Sequence, residues 1–208
     1  KGYYHIDIFP AHQFFLGFCV DNKYFCYTVV PFGLSSAPFI FTKTLREMVK
    51  YWRLNAIKIM FLDDGWGTNT TFEATLRDAC FIENSLLKAG FVINVEKSIW
   101  IPVQSLEWIG LICDSQRISL AIPTRRINDL KVCLSDIFFH LPIVSARKLA
   151  KCTGKIISMM PVIGNVAILM TRFLYMEIQK QNSWDFCFSL NADNPCMNEL
   201  YFWYNNID

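Results

Sequence analysis

The order of the predicted elements in this sequence indicates an α+β fold with a helical C-terminal part. Strand-like segments and two amphipathic helices occupy residues 4–113, in the order β-β-β-α-β-α-β-β. After Pro123 the hydrophobic pattern becomes entirely helical. Hydrophobic residues make up 53% of the 208 residues and aromatic residues 15%, so the composition excludes a disordered tail or a linker.

The predicted strands are short β-forming segments that are bounded by turn residues. Asp21-Asn22-Lys23 joins two of these segments and predicts a hairpin connection. The predicted strands cover residues 4–8, 14–20, 24–30, 57–62, 91–95 and 106–113.

The predicted helices have recognisable ends. Ser36 is a candidate N-cap, and Pro38 follows in the first turn, where its missing N–H does no harm. Gly90 follows the second helix at the position where a C-terminal cap favours glycine. The predicted helices run from the Ser36 cap to about Trp52, and over residues 71–89, 124–140, 145–160 and 164–180.

Charge is unevenly distributed along the chain. Nine Lys or Arg residues and three acidic residues lie between positions 121 and 180, a local net charge of +6, whereas the whole chain carries +2. A basic C-terminal part beside an acidic remainder is typical of a protein that holds an anionic polymer and performs metal or carboxylate chemistry. A solvated helix face is the alternative explanation for the basic part.

Cysteine usage and hydropathy predict an intracellular protein, in the cytoplasm or nucleus, that neither is secreted nor enters a membrane. The eight cysteines form no C-x-x-C pair, and the three histidines add no metal-ligand spacing, so we expect reduced thiols. The most apolar stretch, 156–170, contains Pro161 and Gly164 and is shorter than the roughly 20 residues that a spanning helix needs.

Two adjacent carboxylates, Asp63 and Asp64, follow the apolar segment 57–62. A strand that ends in two carboxylates places hard oxygen ligands of the kind that Mg²⁺ prefers at a hairpin tip. Such a pair serves two-metal phosphoryl transfer, although Asp-Asp-Gly also forms ordinary β-turns. The surrounding motifs therefore have to decide between these interpretations.

Four ordered motifs resemble those of reverse transcriptases. Residues 61–64 (Phe-Leu-Asp-Asp) resemble the aromatic-x-Asp-Asp motif, and residues 30–38 (Val-Pro-Phe-Gly-Leu-Ser-Ser-Ala-Pro) resemble Leu-Pro-Phe-Gly-Leu-x-x-Ala-Pro. Residues 89–97 (Ala-Gly-Phe-Val-Ile-Asn-Val-Glu-Lys) resemble Gly-Phe-x-x-Asn-x-x-Lys, and residues 106–110 (Leu-Glu-Trp-Ile-Gly) resemble Leu-x-Trp-x-Gly. Further similarity in the helical part extends the resemblance to essentially the whole chain.

This resemblance implies a right-hand polymerase fold, with a palm of antiparallel sheet and packed helices followed by a helical thumb. It implies partial fingers and palm over residues 1–112 and a thumb over 113–180. Residues 181–208 then resemble the start of a connection towards a ribonuclease H domain that is itself absent. Within the family, Phe32 and segment 2–10 look most like retrotransposons of the tyrosine-recombinase group.

The implied activity is RNA-directed DNA polymerisation by two-metal nucleotidyl transfer. Such an enzyme extends a DNA primer on an RNA or DNA template, using deoxynucleoside triphosphates and two Mg²⁺ ions, with Mn²⁺ as an alternative. Nothing in the sequence points to a particular protein partner. The resemblance implies Asp63 and Asp64 as metal ligands, Lys97 as proton donor to pyrophosphate, Tyr3, Phe32 and Gly33 as substrate-binding residues, and Trp108 and Gly110 as primer-grip residues.

A lysine stripe on the helix predicted at 145–160 indicates contact with a nucleic-acid backbone. Lys148, Lys151 and Lys155 recur at spacings of three and four and so share one helical face, while Leu149 and Ile156 share another. This segment resembles the thumb helices that follow the template-primer backbone. The alternative is that the lysines only keep the helix soluble.

One departure from the family pattern concerns the first catalytic Asp. In the family it lies five residues before the aromatic residue that excludes the sugar 2′-hydroxyl, and Gly2-Tyr3 fits the last two places of that motif. The Asp then belongs upstream of Lys1, so we expect a truncated, inactive piece of a polymerase. Asp7 is a weaker candidate, because the residue five places after it is His12. The rival interpretation is a catalytically dead, nucleic-acid-binding relic of a retroelement.

Overall fold

The computed structural model describes residues 2–54 and 57–207, with the backbone alone for residues 57 and 58. The chain divides into two compact units, Lys1–Val103 and Gln104–Asp208. The predicted boundary after residue 112 therefore falls inside the second unit.

The described part of the first unit is built from two hairpins, two long helices and two short 3-10 helices. Each hairpin is an antiparallel pair, β1 with β2 and β3 with β4. In chain order the elements are 3-10 helices Gly2–His5 and Pro10–Leu16, β1 (Gly17–Val20), β2 (Lys23–Cys26), α1 (Ala37–Arg53), β3 (Ile57–Phe61), β4 (Asp64–Thr68) and α2 (Phe72–Lys88).

The core of the first unit forms on one face of α1. Phe41, Leu45, Val49 and Trp52 recur at intervals of three or four residues and are all buried, because these positions fall on one side of a helix. Trp52 also donates a hydrogen bond from its ring Nε1 to Ser85 Oγ of α2, at 2.7 Å. The indole thereby joins both helices through an apolar contact and a polar one.

The described part of the second unit combines a three-stranded antiparallel sheet with a helical bundle. The sheet order is β5-β6-β7, and a separate antiparallel pair joins β8 and β9. The elements are β5 (Ser105–Trp108), β6 (Leu111–Asp114), β7 (Ser119–Ala121), α3 (Thr124–His140), β8 (Ile143–Ser145), α4 (Ala146–Ile157), α5 (Met160–Ile163), α6 (Val166–Leu169), α7 (Arg172–Gln179), β9 (Cys187–Ser189) and α8 (Pro195–Asn206).

The second unit has the larger core, which α3, α4, α7 and α8 build together. Leu134, Leu149, Ile156, Leu174 and Leu200 are each completely buried in it. The predicted apolar face of the 145–160 segment is therefore confirmed. Ser145 caps α4, since its Oγ accepts a hydrogen bond from the Lys148 N–H at 3.3 Å.

Several local predictions are correct, and several strand predictions differ from the structure. Helix 124–140 and the turn at Asp21-Asn22 match the structure. Of the predicted strand 4–8, residues 4 and 5 belong to a 3-10 helix, and Asp7 forms an isolated bridge with Val29. Residues 14–16 of the predicted strand 14–20 belong to a 3-10 helix, and the predicted strand 106–113 is interrupted by a turn at Ile109 and Gly110 between β5 and β6. Residues 91–95 form no strand, because their backbone groups have no described partner strand with which to pair.

The two C-terminal helix predictions are each interrupted. The 145–160 helix ends at Ile157, and a short helix begins at Met160, with Pro161 in its first turn. Gly164 then adopts a positive φ of 72°, which ends that short helix before the next one starts. Among the described residues, no helix is both long and apolar enough to cross a membrane.

Glu199 is a buried carboxylate whose removal is expected to destabilise the helical bundle. It is 3% exposed, and its two oxygens accept hydrogen bonds from the N–H groups of Phe173 (3.0 Å) and Leu174 (2.9 Å). These are unpaired donors of the first turn of α7. Glu199→Gln turns an NH₂ group towards one of them, so we expect a loss of about 1–3 kcal/mol in the free energy of unfolding, measured by urea denaturation.

The matched control is Glu47→Gln, which alters an exposed glutamate that pairs only with neighbouring Lys50 among the described contacts. That change is expected to stay within about 0.5 kcal/mol of wild type. Equal losses in the two variants would contradict the capping role of Glu199.

Candidate active site

The two predicted catalytic carboxylates lie at the tip of the β3–β4 hairpin. Phe61 pairs with Asp64, so Leu62 and Asp63 form a two-residue turn between the strands. Leu62 has a positive φ of 55°, as such a tight turn requires. Asp63 thus occupies the turn, and Asp64 begins the return strand β4. Both carboxylates are exposed to solvent.

The Met60 side chain links the β3–β4 hairpin to the buried face of α1. Met60 pairs with Gly65, and a Cβ on Gly65 would lie 2.7 Å from the Met60 sulfur. Glycine therefore leaves the space that the thioether occupies. Met60 in turn packs on the cluster of Phe41, Leu45 and Val49. Since Met60 is three residues before Asp63, this contact anchors the hairpin tip to the core of the unit.

Asp63 and Asp64 supply only part of a metal-ligand set. Two adjacent carboxylates offer hard oxygen donors, which fit Mg²⁺ chemically. Within residues 2–54 and 57–207, no group of three or more His, Cys, Asp or Glu residues is arranged to hold a metal ion. The pair is compatible with a divalent ion and requires further oxygen ligands to complete its coordination.

Tyr3 and Phe32, which are predicted to bind the substrate, belong to one aromatic cluster. The ring centroid of Tyr3 lies 5.0 Å from that of Phe32 and 5.6 Å from that of buried Phe41. Tyr4 contacts Phe32 from another side at 5.4 Å. Gly2 permits this arrangement, because a Cβ there would lie 2.6 Å from the Phe41 ring. The structure thus brings Tyr3 and Phe32 together on the core that also supports the hairpin.

Gly33, the residue after Phe32, has a positive φ of 93°. A Cβ at Gly33 would meet nothing within 4 Å, so the backbone conformation and open space, rather than crowding, explain the glycine. Ser36 occupies the N-cap position of α1, as predicted, but its side chain makes no capping hydrogen bond.

His5 connects the Tyr3 segment to the loop that carries Lys97, and sequence reasoning missed this role. The Val92 N–H donates to His5 Nε2 at 3.0 Å, so Nδ1 carries the proton of the neutral ring and donates to the Gly2 carbonyl at 3.1 Å. The His5 ring also lies 5.2 Å from Phe91. No sequence pattern distinguishes this histidine, because Val92 lies 87 residues further along the chain.

Lys97 lies in an exposed turn of the same loop. Its N–H donates to the Asn94 carbonyl at 3.2 Å, and Ser98 donates to the same oxygen at 3.0 Å. The Asn and Lys of the predicted Gly-Phe-x-x-Asn-x-x-Lys motif are therefore joined by a backbone turn. This turn leaves the Lys97 side chain exposed.

The predicted primer-grip residues belong to the β5–β6 hairpin of the second unit. Trp108 pairs with Leu111, and the turn residues Ile109 and Gly110 have positive φ values of 49° and 74°. Arg126 of α3 donates from Nη1 to the Gly110 carbonyl at 2.7 Å and from Nη2 to Ser158 Oγ. A guanidinium therefore fixes the hairpin tip to two points of the helical bundle.

The lysine stripe of α4 mostly faces α3. Lys148 Nζ lies 2.9 Å from an Asp136 oxygen, and Lys155 Nζ lies 3.4 Å from an Asp129 oxygen. The hydrogen bond from Lys148 lowers the pKa of the Asp136 carboxyl. Lys151 is exposed. Two of the three lysines therefore form ion pairs between helices, and contact of all three with a nucleic-acid backbone stays a prediction.

The positive charge of α4 also acts on a thiol. A hydrogen bond with Cys152, aided by nearby Lys151 and Lys155 and opposed by burial, lowers the pKa of Cys133 to about 7. The lysines of α4 therefore influence a group of α3, in addition to the ion pairs that they form with it.

Gly110 and Gly154 provide a matched pair of substitutions. Gly110→Ala places a Cβ at positive φ and 3.2 Å from Arg126 Nη1, so we expect a loss of about 1–2 kcal/mol in the free energy of unfolding. Gly154→Ala in α4 meets nothing within 4 Å and is expected to stabilise by about 0.5–1 kcal/mol. Urea denaturation measures both; shifts in the same direction would contradict the role of Gly110.

Comparison with known proteins identifies the family of this chain. The sequence profile of "Reverse transcriptase (RNA-dependent DNA polymerase)" matches residues 3–113. The genome polyproteins of Petunia vein clearing virus, isolates Shepherd and Hohn, are each 25% identical over 115 residues, which cover 53% of this chain and 5% of the polyprotein. The chain therefore spans a small part of these relatives.

Solved structures of foamy viral protease-reverse transcriptase resemble the whole chain. One complex with double-stranded DNA has a TM-score of 0.76 at 14% identity, and a complex with an RNA/DNA hybrid has 0.75 at 15%. Each match covers 100% of this chain, and 33% and 26% of those chains, respectively. This similarity confirms the predicted fold class, an α+β polymerase palm followed by a helical thumb. Because the family profile matches more than half of its residues, the chain belongs to the reverse transcriptase (RNA-dependent DNA polymerase) family.

Proposed function

We propose that this chain is the palm and thumb part of an RNA-directed DNA polymerase that extends a DNA primer on an RNA or DNA template. The observation that carries the proposal is the β3–β4 hairpin, which presents Asp63 and Asp64 together at an exposed tip anchored to the core. Membership of the reverse transcriptase family supports the same activity. The origin is a retroelement; the sequence favours a retrotransposon of the tyrosine-recombinase group, whereas the relatives found are viral polyproteins.

Asp63 and Asp64 are the residues that would hold Mg²⁺, with Asp63 as the principal ligand. Bound divalent ions supply charge that activates the primer hydroxyl and stabilises the phosphoryl transition state. The two carboxylates hold this charge at the hairpin tip and remain acceptor-only groups. Lys97, in its exposed turn, is the candidate to donate a proton to the departing pyrophosphate, because an ammonium is both a proton source and a counter-charge.

The aromatic cluster is proposed to select the incoming nucleotide. Tyr3 packs against Phe32 and Phe41, so its ring is held in place by neighbours on two sides. A fixed ring excludes a 2′-hydroxyl by occupying its space. Gly33 leaves an open backbone beside Phe32, where a deoxynucleoside triphosphate can approach closely.

The second unit is proposed to hold the template-primer duplex. Related foamy viral enzymes were solved with double-stranded DNA and with an RNA/DNA hybrid. Trp108 and Gly110 lie on a hairpin that Arg126 holds to the bundle, which suits a grip on the primer terminus. Of the lysines on α4, exposed Lys151 is the first candidate for a phosphate contact. Lys148 and Lys155 would first have to break their ion pairs with Asp136 and Asp129 before they could bind a phosphate.

The incomplete carboxylate set supports a second possibility, a nucleic-acid-binding relic without polymerase activity. No third acidic side chain joins Asp63 and Asp64 in the described part of the chain. We propose that the family's first catalytic Asp lies upstream of Lys1 and that the 208 residues alone do not polymerise. Primer extension with Mg²⁺ therefore has to compare these residues with a longer protein that includes the upstream fingers.

The test of the catalytic hairpin is Asp63→Asn in the longer protein. Removing the charge of a metal ligand should lower the primer-extension rate by at least about a hundredfold. The matched control is Asp21→Asn, because Asp21 also occupies the two-residue turn of an exposed hairpin. Retention of more than about a tenth of the activity by Asp63→Asn, or equal losses in both variants, would sink the proposal.

The test of the sugar gate is Tyr3→Val in the same longer protein. We expect a larger ratio of ribonucleotide to deoxynucleotide incorporation, because a smaller side chain frees space at the 2′ position. Single-nucleotide extension kinetics measure the ratio. Tyr4→Val is the control, since Tyr4 also contacts Phe32. An unchanged ratio in Tyr3→Val, or a change only in Tyr4→Val, contradicts the role of Tyr3.

A further inference from the structure

An open groove runs between α1 and the β3–β4 hairpin in the first unit. Its volume is about 410 Å³, and its lining includes Leu62, which lies two residues before Asp64 and directly before Asp63. From Thr42 to Arg53 the wall of α1 extends over about 16 Å, given the rise of a helix. The groove is lined by Thr42, Leu45, Arg46, Val49, Lys50, Arg53, Met60 and Leu62.

One wall of this groove is strongly basic. Arg46, Lys50 and Arg53 lie on it in sequence, with separations of about 6 Å and 4.5 Å along the helix axis. Arg46 and Lys50 are exposed. Lys50 pairs with Glu47 at 2.8 Å, but both partners are mostly solvated, so the pair is weak and can exchange for a phosphate. The groove therefore places cationic groups at a spacing that suits a chain of phosphates.

The other described residues of the lining are apolar except for Thr42. Leu45, Val49, Met60 and Leu62 offer no hydrogen-bonding groups, and the Thr42 hydroxyl already donates to the Pro38 carbonyl at 2.8 Å. An extended peptide in this groove would find few side-chain partners for its N–H and C=O groups. A nucleic-acid strand differs, because its phosphates can face the cations and its sugars and base faces can contact the apolar floor while the polar base edges stay in solvent.

From this geometry we infer that the groove binds a single-stranded nucleic-acid segment next to the catalytic hairpin. A duplex fits less well, because its bases are paired with each other and stacked inside it, so they cannot contact the apolar floor. The inference deepens the proposed polymerase function and rests on it for its biological meaning. Binding itself needs neither metal nor catalysis, so it can be measured independently.

The experiment measures binding of a fluorescein-labelled, unstructured single-stranded DNA by fluorescence anisotropy across a KCl series in EDTA. The variant is Arg46→Glu/Lys50→Glu. The matched control, Lys43→Glu/Lys88→Glu, makes the same change in charge at exposed lysines outside the groove lining. Circular dichroism and urea denaturation verify folding, and Arg46→Gln/Lys50→Gln replaces the variant if the double charge reversal unfolds the protein.

Loss of two phosphate contacts should make binding roughly tenfold weaker at low salt and reduce the slope of log K against log salt by about 1.4. The control should keep the wild-type slope. Equal slopes in variant and wild type, or an equal reduction in the control, overturn the inference.

Two further measurements distinguish a single strand from the other possible occupants of the groove, an acidic polypeptide and a duplex. If poly-glutamate displaces the strand as effectively as unlabelled single-stranded DNA, the groove takes an acidic polypeptide and the inference fails. The same salt series is measured with a hairpin duplex. If Arg46→Glu/Lys50→Glu reduces the slope of log K against log salt for the duplex by the same amount as for the single strand, the groove is a duplex site, which also overturns the inference. Failure of either kind leaves the primer-extension test of Asp63 unaffected, so the two proposals are tested separately.

Discussion

The apolar face of α1 is the surface on which the first unit is assembled. Phe41 supports the Tyr3 ring, and the cluster around it receives Met60 from the hairpin and Phe91 from the Lys97 loop. Three segments with separate roles in the proposed chemistry therefore share one support. Burial of this face is the main source of order for the exposed groups proposed to be catalytic, because those groups make few described contacts that would hold them.

Both hairpins that carry functional motifs store backbone strain at their tips. Leu62 and Ile109 are non-glycine residues with positive φ, a conformation that costs of order 1–2 kcal/mol each. Packing offsets this cost in the first hairpin through the Met60–Gly65 contact, and the Arg126 hydrogen bond does so in the second. Strain of this kind persists only where surrounding contacts over-determine it, which is consistent with tips that must be held in one place.

The distribution of charge in space differs from its distribution along the sequence. Part of the positive charge of segment 121–180 is paired within the protein, since Lys148 and Lys155 form ion pairs with acidic residues of α3. In contrast, α1 belongs to the net acidic part of the chain yet presents Arg46, Lys50 and Arg53 to one groove. Helical geometry causes the difference, because residues three and four apart share a face whatever the charge of their neighbours.

The sequence by itself determined the helices with strong periodicity, the hairpin at Asp63-Asp64 and the family. Helix 124–140 and the α1 face at Phe41 and Trp52 follow from local spacing, and the order of the motifs follows from the residues alone. These features depend on neighbours in the chain, so a pattern of residue types is sufficient to predict them.

The tertiary structure decided which residues meet. His5 bonds to Val92, Tyr3 packs on Phe41 and Lys148 turns to Asp136, and none of these contacts follows from a local pattern. It also decided that residues 4–8 make an isolated bridge and that residues 91–95 form no strand, because the length of a strand depends on how far another segment pairs with its backbone groups. Contacts between distant segments depend on packing of the whole unit, which local spacing does not encode.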